Sequence, residues 1–150
     1  MSTQENKALV RRFYEEVWDR GNVAFAGEVF AEDYVRHDLR PTSPIPGPQG
    51  QSKIAAEFRA AFPDLRVTVD LVFGEGDLVA ARWTAQGTHT GPWGGQEPTG
   101  RAVEFSGVNL WRFRDGKAVE IWNHRDDLGL LEQVGRPVFA GAAPSEEPER

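Results

Sequence analysis

The stretch RAVEFSGVNLWRFRDGKAVEIWNHRDDLGLL, residues 101–131, decides the reading of the fold. Two runs in it are rich in Val, Phe, Trp and Ile, side chains that pack well on a pleated surface. Between them sits Asp115-Gly116, a pair that two-residue hairpin turns select because both turn positions take positive φ. The last residues, LGLL, return to an apolar pattern fit for a short helix. Upstream, LRVTVDLVF (65–73) and LVAARWTAQGTH (78–89) have the same composition, set apart by GEGD and by the Gly/Pro-rich TGPWGGQEPTG. From residue 65 onward the sequence therefore predicts four consecutive antiparallel strands and a closing helix.

Before residue 65 the period is helical. Leu9, Phe13 and Val17 recur every four residues with Val10, Tyr14 and Trp18 beside them, and the stripe stops at DRGN. A second short helix is predicted after it, with Asn22 as cap and Val23, Phe25, Val29 and Phe30 on its buried side. PTSPIPGPQG, residues 41–50, carries four prolines and two glycines and reads as a long loop at a pocket rim. A third helix, capped by Ser52 and closed by Pro63, follows with Ile54, Phe58 and Phe62 four apart. Helices first and antiparallel strands afterwards indicate an α+β fold, with the helices covering one face of a curved sheet. One domain over residues 1–138 is expected, and FAGAAPSEEPER, residues 139–150, is expected to be a disordered tail.

Composition narrows the function. A net charge of -6 with scattered Lys and Arg argues against a nucleic-acid or anionic-membrane partner and for a small molecule. With no cysteine there is no disulfide framework and no thiolate chemistry. MSTQENKALVRR has no apolar signal core, so a cytoplasmic address is expected. GEGDLV lacks the third glycine and following helix of a dinucleotide fingerprint, and no G-x-S-x-G occurs. His37, His89 and His124 show no short chelating spacing, so no metal and no cofactor are expected. Cofactor-free acid/base chemistry is the enzymatic reading that is left.

In the last strand, alternation puts Glu120, Trp122, His124 and Asp126 on one face and Val119, Ile121, Asn123 and Arg125 on the other. The first face is assigned to the cavity. A carboxylate beside an imidazole in a partly apolar pocket suits proton transfer near neutral pH. Asp126 and His124 are thus the expected catalytic pair, and Asp127, on the opposite face, the expected cap of the helix that follows. His37 and His89 lie where a pocket mouth is expected. Tyr14, Trp18, Tyr34, Phe58 and Trp122 are candidates for flat apolar walls around a planar ligand.

The ordered series EDYVRHD, FPDLRVTVD, GEGDLVAARWTAQGTHTG, PTGRAVEFSGVNLWRFRDGKAVEIW and DDLGLLEQVG resembles the SnoaL-like polyketide cyclase family of the NTF2-like superfamily, over residues 5–136. The resemblance implies an α+β cone, assembled as a homodimer or homotetramer, with a deep pocket. It implies closure of an aromatic polyketide ring by intramolecular aldol condensation without metal or cofactor. The family's acid/base Asp falls on Asp126, and its pocket histidines fall on His37 and His89. In that scheme Asp126 takes the α-proton, His124 tunes it, and His37 or His89 bonds the carbonyl that gains charge. Three alternatives stand beside it: a hydroxylation-associated relative, an epoxide hydrolase using RDD at 125–127 with Arg112, and a non-catalytic binding protein serving a reductase or oxygenase partner.

Overall fold

In the computed structural model, which describes residues 2–39, 46–93 and 95–135, the apolar stripe near the N-terminus folds as a helix that changes its winding. α1 (Thr3–Phe13) opens with a Ser2–Glu5 capping box and passes directly into a π-helical turn, Tyr14–Asp19. Such wide turns are rare and concentrate where side chains must be re-aimed for function. Here the turn carries Tyr14 and Trp18, both of which face the cavity described below. A 3₁₀ turn (Val23–Phe25) and a one-turn α2 (Ala26–Val29) follow, and Asn22 makes no capping hydrogen bond.

Two expectations need correction in this half. First, Phe30–His37 is a strand, β1, at the sheet edge and parallel to the last strand. Its charged residues, AEDYVRH, hide the alternation that would have marked it, because an edge strand beyond the core buries little. Second, α3 (Pro48–Ala61) starts inside the proline-rich stretch, with Gly47 at the cap position and Pro48 in the first turn. Proline lacks an N–H that the first turn leaves unused in any case. Ser52 is therefore mid-helix, and its hydroxyl donates to the carbonyl of Val23 at 2.7 Å. Residues 41–45 of the expected loop, and the expected tail 139–150, lie outside the described residues.

The four predicted strands are present as β2 (Arg66–Glu75), β3 (Leu78–Thr88), β4 (Ala102–Arg114) and β5 (Lys117–Arg125), in the sheet order β1-β5-β4-β3-β2. Asp115 and Gly116 form the turn between the last two with φ 53° and 79°. Irregularities in register interrupt three of the four strand pairs, and bulges of this kind bend a sheet. The helices fill its concave side. Trp111 on β4 is fully buried there, with ring centroids 5.1 Å from Phe13 and 5.3 Å from Phe30. No helix among the described residues is long and apolar enough to cross a membrane.

One of those irregularities decides which side chains enter the cone. Phe113 pairs with Ala118, but Arg112 pairs with Glu120, so one extra residue sits in β5 at Val119. Beyond it Trp111 lies opposite Ile121, Asn109 opposite Asn123 and Gly107 opposite Arg125. Cross-strand partners share a face, so Ile121, Asn123 and Arg125 point inward with the buried residues of β4. The sequence-based assignment of faces in β5 is thereby inverted.

The end of β5 follows from this. Asp126 and His124 are exposed, whereas Asp127 is only 9% exposed. It is Asp126, not Asp127, that caps α4 (Asp127–Gln133): its Oδ1 accepts the Gly129 N–H at 2.9 Å. Truncation of Asp126 to alanine is expected to cost about 1 kcal/mol of stability, the usual worth of such a cap, while Asp126→Asn stays near wild type. Urea denaturation of the two variants checks this.

Candidate functional site

Between helices and sheet lies a narrow, closely packed slot. Phe13, Tyr14 and Trp18 wall it from the first helix, and Gln51 and Ile54 from α3. Trp83, Ala85 and Phe105 form its sheet wall. Its polar lining comes from Arg36 on β1, Asn109 on β4, and Asn123 and Arg125 on β5. Aromatic walls with a few converging polar groups are the usual make-up of a small-molecule site.

The polar groups form a chain whose direction is fixed. Trp83 Nε1 can only donate, and it bonds Asn109 Oδ1 at 2.6 Å. That orients the Asn109 amide, so Tyr14 Oη must also donate to Oδ1, at 2.6 Å. Asn109 Nδ2 then donates to Asn123 Oδ1, and Asn123 Nδ2 to Asp38 Oδ1 at 3.3 Å. Asp38 is held in turn by Arg36, whose Nε and Nη2 donate at 2.7 and 2.8 Å. A second pair of the same kind stands beside it: Arg125 donates to Asp127 at 2.6 and 3.4 Å, and its guanidinium lies 4.7 Å over the ring of Phe58. Both pairs have Arg-x-Asp spacing, and β1 runs parallel to β5, so the two arginines stand on adjacent strands and the two carboxylates just beyond the same ends of them.

Burial pushes the Tyr14 hydroxyl's pKa well above its ordinary value. A raised pKa means the unfolded chain releases this proton first, so its contribution to stability is complete below the free tyrosine range and is lost as pH rises through it. Of the two tyrosines, one is expected to ionise only together with unfolding. Tyrosinate absorbance and circular dichroism followed through the same alkaline titration test this.

The structure divides the residues expected from sequence. Tyr14 and Trp18 line the slot. Phe58 is buried behind it, packed on Trp18 at 5.6 Å and beneath Arg125. Tyr34 packs on Phe30, 4.7 Å away, outside the lining. His37 and Trp122 are on the opposite, convex face, stacked at 5.0 Å, with His37 Nε2 2.7 Å from Glu120 Oε2. The hydrogen bond from His37 holds the Glu120 carboxyl's pKa below its ordinary value. His89 is fully buried but outside the lining; its Nδ1 accepts the Thr99 N–H at 3.2 Å and ties down the loop between β3 and β4. His124 and Asp126 stand outside the slot, for the register reason given above.

Four polar residues of the slot were not singled out in the sequence, Arg36, Gln51, Asn109 and Asn123, and Arg125 entered only through the hydrolase alternative. Asn109 had a signal. In VEFSGVNLWRF every second residue from Val103 is buried, and Asn109 is the one polar side chain in that row. Among the described residues no three His, Asp or Glu side chains gather in a way that would hold a metal.

This geometry has known counterparts. A family model described as SnoaL-like polyketide cyclase matches residues 8–134. Among solved structures, AclR from Streptomyces galilaeus, a proposed hydroxylase, is 32% identical with a TM-score of 0.78, covering 89% of this chain and 98% of its own. IdmH from Streptomyces antibioticus, a proposed polyketide cyclase, is 33% identical with a TM-score of 0.73, covering 87% and 98%. A proposed SnoaL-like polyketide cyclase from Jannaschia sp. CCS1 is 25% identical with a TM-score of 0.79, covering 91% and 95%. No sequence among curated proteins matches. Since the family pattern runs through nearly every element that builds the cone, from residue 8 in α1 to residue 134 after α4, the chain belongs to the SnoaL-like polyketide cyclase family and has its NTF2-like α+β fold.

Proposed function

We propose that the protein closes a ring of an aromatic polyketide by cofactor-independent aldol chemistry in this slot. The observation that carries the reading is a narrow aromatic-walled cavity lined by Arg36 and Arg125, each of which is bonded to the aspartate two residues after it, just behind the lining. A methylene between two carbonyls is acidic enough for one positioned carboxylate to deprotonate, provided the enolate oxygen finds a donor. Asp127 takes that role in place of Asp126, because it is the buried carboxylate at the start of α4 and is bonded at 2.6 Å to Arg125, which lines the slot. Asp127 removes the α-proton, and Arg125 donates to the carbonyl oxygen that gains charge. The enolate carbon attacks a ketone carbon of the same chain, one C–C bond forms, and the new alkoxide takes the proton back. The aromatic walls hold the chain folded so that its two ends meet.

Incubating the protein alone with an aromatic β-polycarbonyl substrate is expected to give the ring-closed aldol product. Tight binding without turnover contradicts the reading and favours a carrier. A hydrolytic second reading has one observation in its favour: Asp38 and Asp127, each held by an arginine on adjacent strands, are a suitable pair for polarising a water. Diol formation from simple epoxides, with no aldol product, is the result that would favour it.

A further inference from the structure

Among the described residues, five buried side-chain polar atoms have no hydrogen-bond partner: Asn6 Oδ1, Gln51 Nε2, His89 Nε2, Gln96 Oε1 and Trp111 Nε1. Of these residues, Gln51 alone lines the slot. The buried face of α3 runs through Pro48, Gln51, Ala55 and Phe58, three or four residues apart, and Gln51 is its polar member, 3% exposed. A glutamine there gives up hydration and side-chain freedom that an apolar residue of the same length would not. The acceptors that the slot's own amides offer are already engaged: Asn109 Oδ1 by Tyr14 and Trp83, and Asn123 Oδ1 by Asn109. Natural proteins rarely leave a buried donor unpaired, so one on the wall of a small-molecule slot marks a place for a ligand's acceptor. The amide carries no charge and has Ile54 one turn further along the same wall, which suits a neutral acceptor such as a ketone oxygen.

We propose that Gln51 Nε2 donates to the oxygen of the ketone that is attacked, holding that carbonyl against the helix wall and stabilising the alkoxide it becomes. This rests on the ring-closing reading of the slot. Two substrate oxygens gain charge in that reaction. Arg125, on the sheet side, serves the enolate oxygen, and Gln51, on the helix side, serves the second. As the C–C bond forms, the carbonyl π pair moves onto the ketone oxygen, which then receives the proton that Asp127 removed. A donor already in place there strengthens its bond as the charge develops and needs no reorganisation at that moment. The same amide selects substrates, because a chain without a keto group at this point leaves the buried N–H unpaired.

The test compares wild type with Gln51→Met, which keeps the length of the side chain, removes the donor and strands no charge; circular dichroism checks that it is folded. The probes are 1-tetralone, a flat bicyclic ketone, and tetralin, the same ring system with a methylene in place of the carbonyl. A hydrogen bond to a carbonyl oxygen lowers its stretching frequency, so the infrared band of bound, ¹³C-labelled 1-tetralone is expected at lower frequency in wild type than in the variant. Calorimetric titration is expected to show affinity for 1-tetralone reduced about threefold or more by the substitution, the usual worth of one neutral hydrogen bond, with tetralin bound no more weakly than before. In ring closure the variant is expected to lose about a hundredfold in kcat, as for removal of one oxyanion donor, with KM rising no further than ketone affinity falls. If 1-tetralone binds both proteins with the same band position and affinity, the proposal is overturned and the reading of the slot stands. A shifted band with unchanged kcat also overturns it, since the amide then meets a carbonyl that does not react. Failure of wild type to bind either probe overturns both.

Discussion

Asn109→Leu is expected to destabilise the protein by about 3 kcal/mol or more in urea denaturation at neutral pH, since each buried group left unpaired costs about 1–3 kcal/mol. Leucine has the same branched shape as asparagine and is bulkier, so the substitution opens no cavity. Instead the Trp83 N–H and the Tyr14 hydroxyl lose their common acceptor, and Asn123 Oδ1 loses its donor. Asn109 is 7% exposed, so water does not replace them fully. The loss should be strongly non-additive. Trp83→Phe removes one of the two donors, so Asn109→Leu should cost less in a Trp83→Phe background than alone, by roughly 1 kcal/mol of coupling. A value for Asn109→Leu within about 0.5 kcal/mol of wild type, the range of inert surface changes, would mean that the chain of bonds is not formed. The same variant should also blunt binding of planar ligands, because Tyr14 and Trp83 wall the slot that Asn109 holds in shape.

How much of this was legible in the sequence depends on the length of chain that each inference needs. The Asp115-Gly116 turn, the four strands and the first helix each rest on local rules, and each is found where the rules place it. β1 was missed because it is a charged edge strand whose pairing with β5 is parallel and distant in sequence. The faces of β5 were misread through a single residue. An unbulged two-residue hairpin would pair Trp111 with Glu120, Asn109 with Trp122 and Gly107 with His124, and so carry the even-numbered residues of β5 inward. The extra residue at Val119 shifts that register by one and turns the whole set over. Nothing in KAVEIWNHR marks the bulge by composition. The requirement that both strands serve one core does mark it: Ala118 and Ile121, three apart, are both fully buried, which an unbroken alternation forbids. The apolar row of β4 likewise made Asn109 readable as a polar group on a buried face.

The adjacent aspartates after β5 now separate by surroundings. Asp126 is exposed and bound to the N-terminus of α4, while Asp127 is buried and bound to a guanidinium that lines the slot. Asp126→Asn keeps the cap, because asparagine is as good a cap as aspartate, and turnover should change less than about twofold, as nothing in the slot is altered. Asp127→Asn keeps the shape and removes the base. Loss of a positioned acid/base group typically costs 10²–10⁴-fold, so at least about a hundredfold fall in kcat is expected, with KM little changed. Arg125→Gln should fall similarly, since it removes the donor to the enolate oxygen and leaves Asp127 misplaced.

The most direct test of the account is therefore kcat for ring closure measured side by side for wild type, Asp126→Asn and Asp127→Asn, with all three shown to be folded. Asp126→Asn is expected to keep a nearly unchanged rate, and Asp127→Asn to lose about a hundredfold or more. The reverse pattern, with Asp126→Asn inactive and Asp127→Asn active, would contradict it.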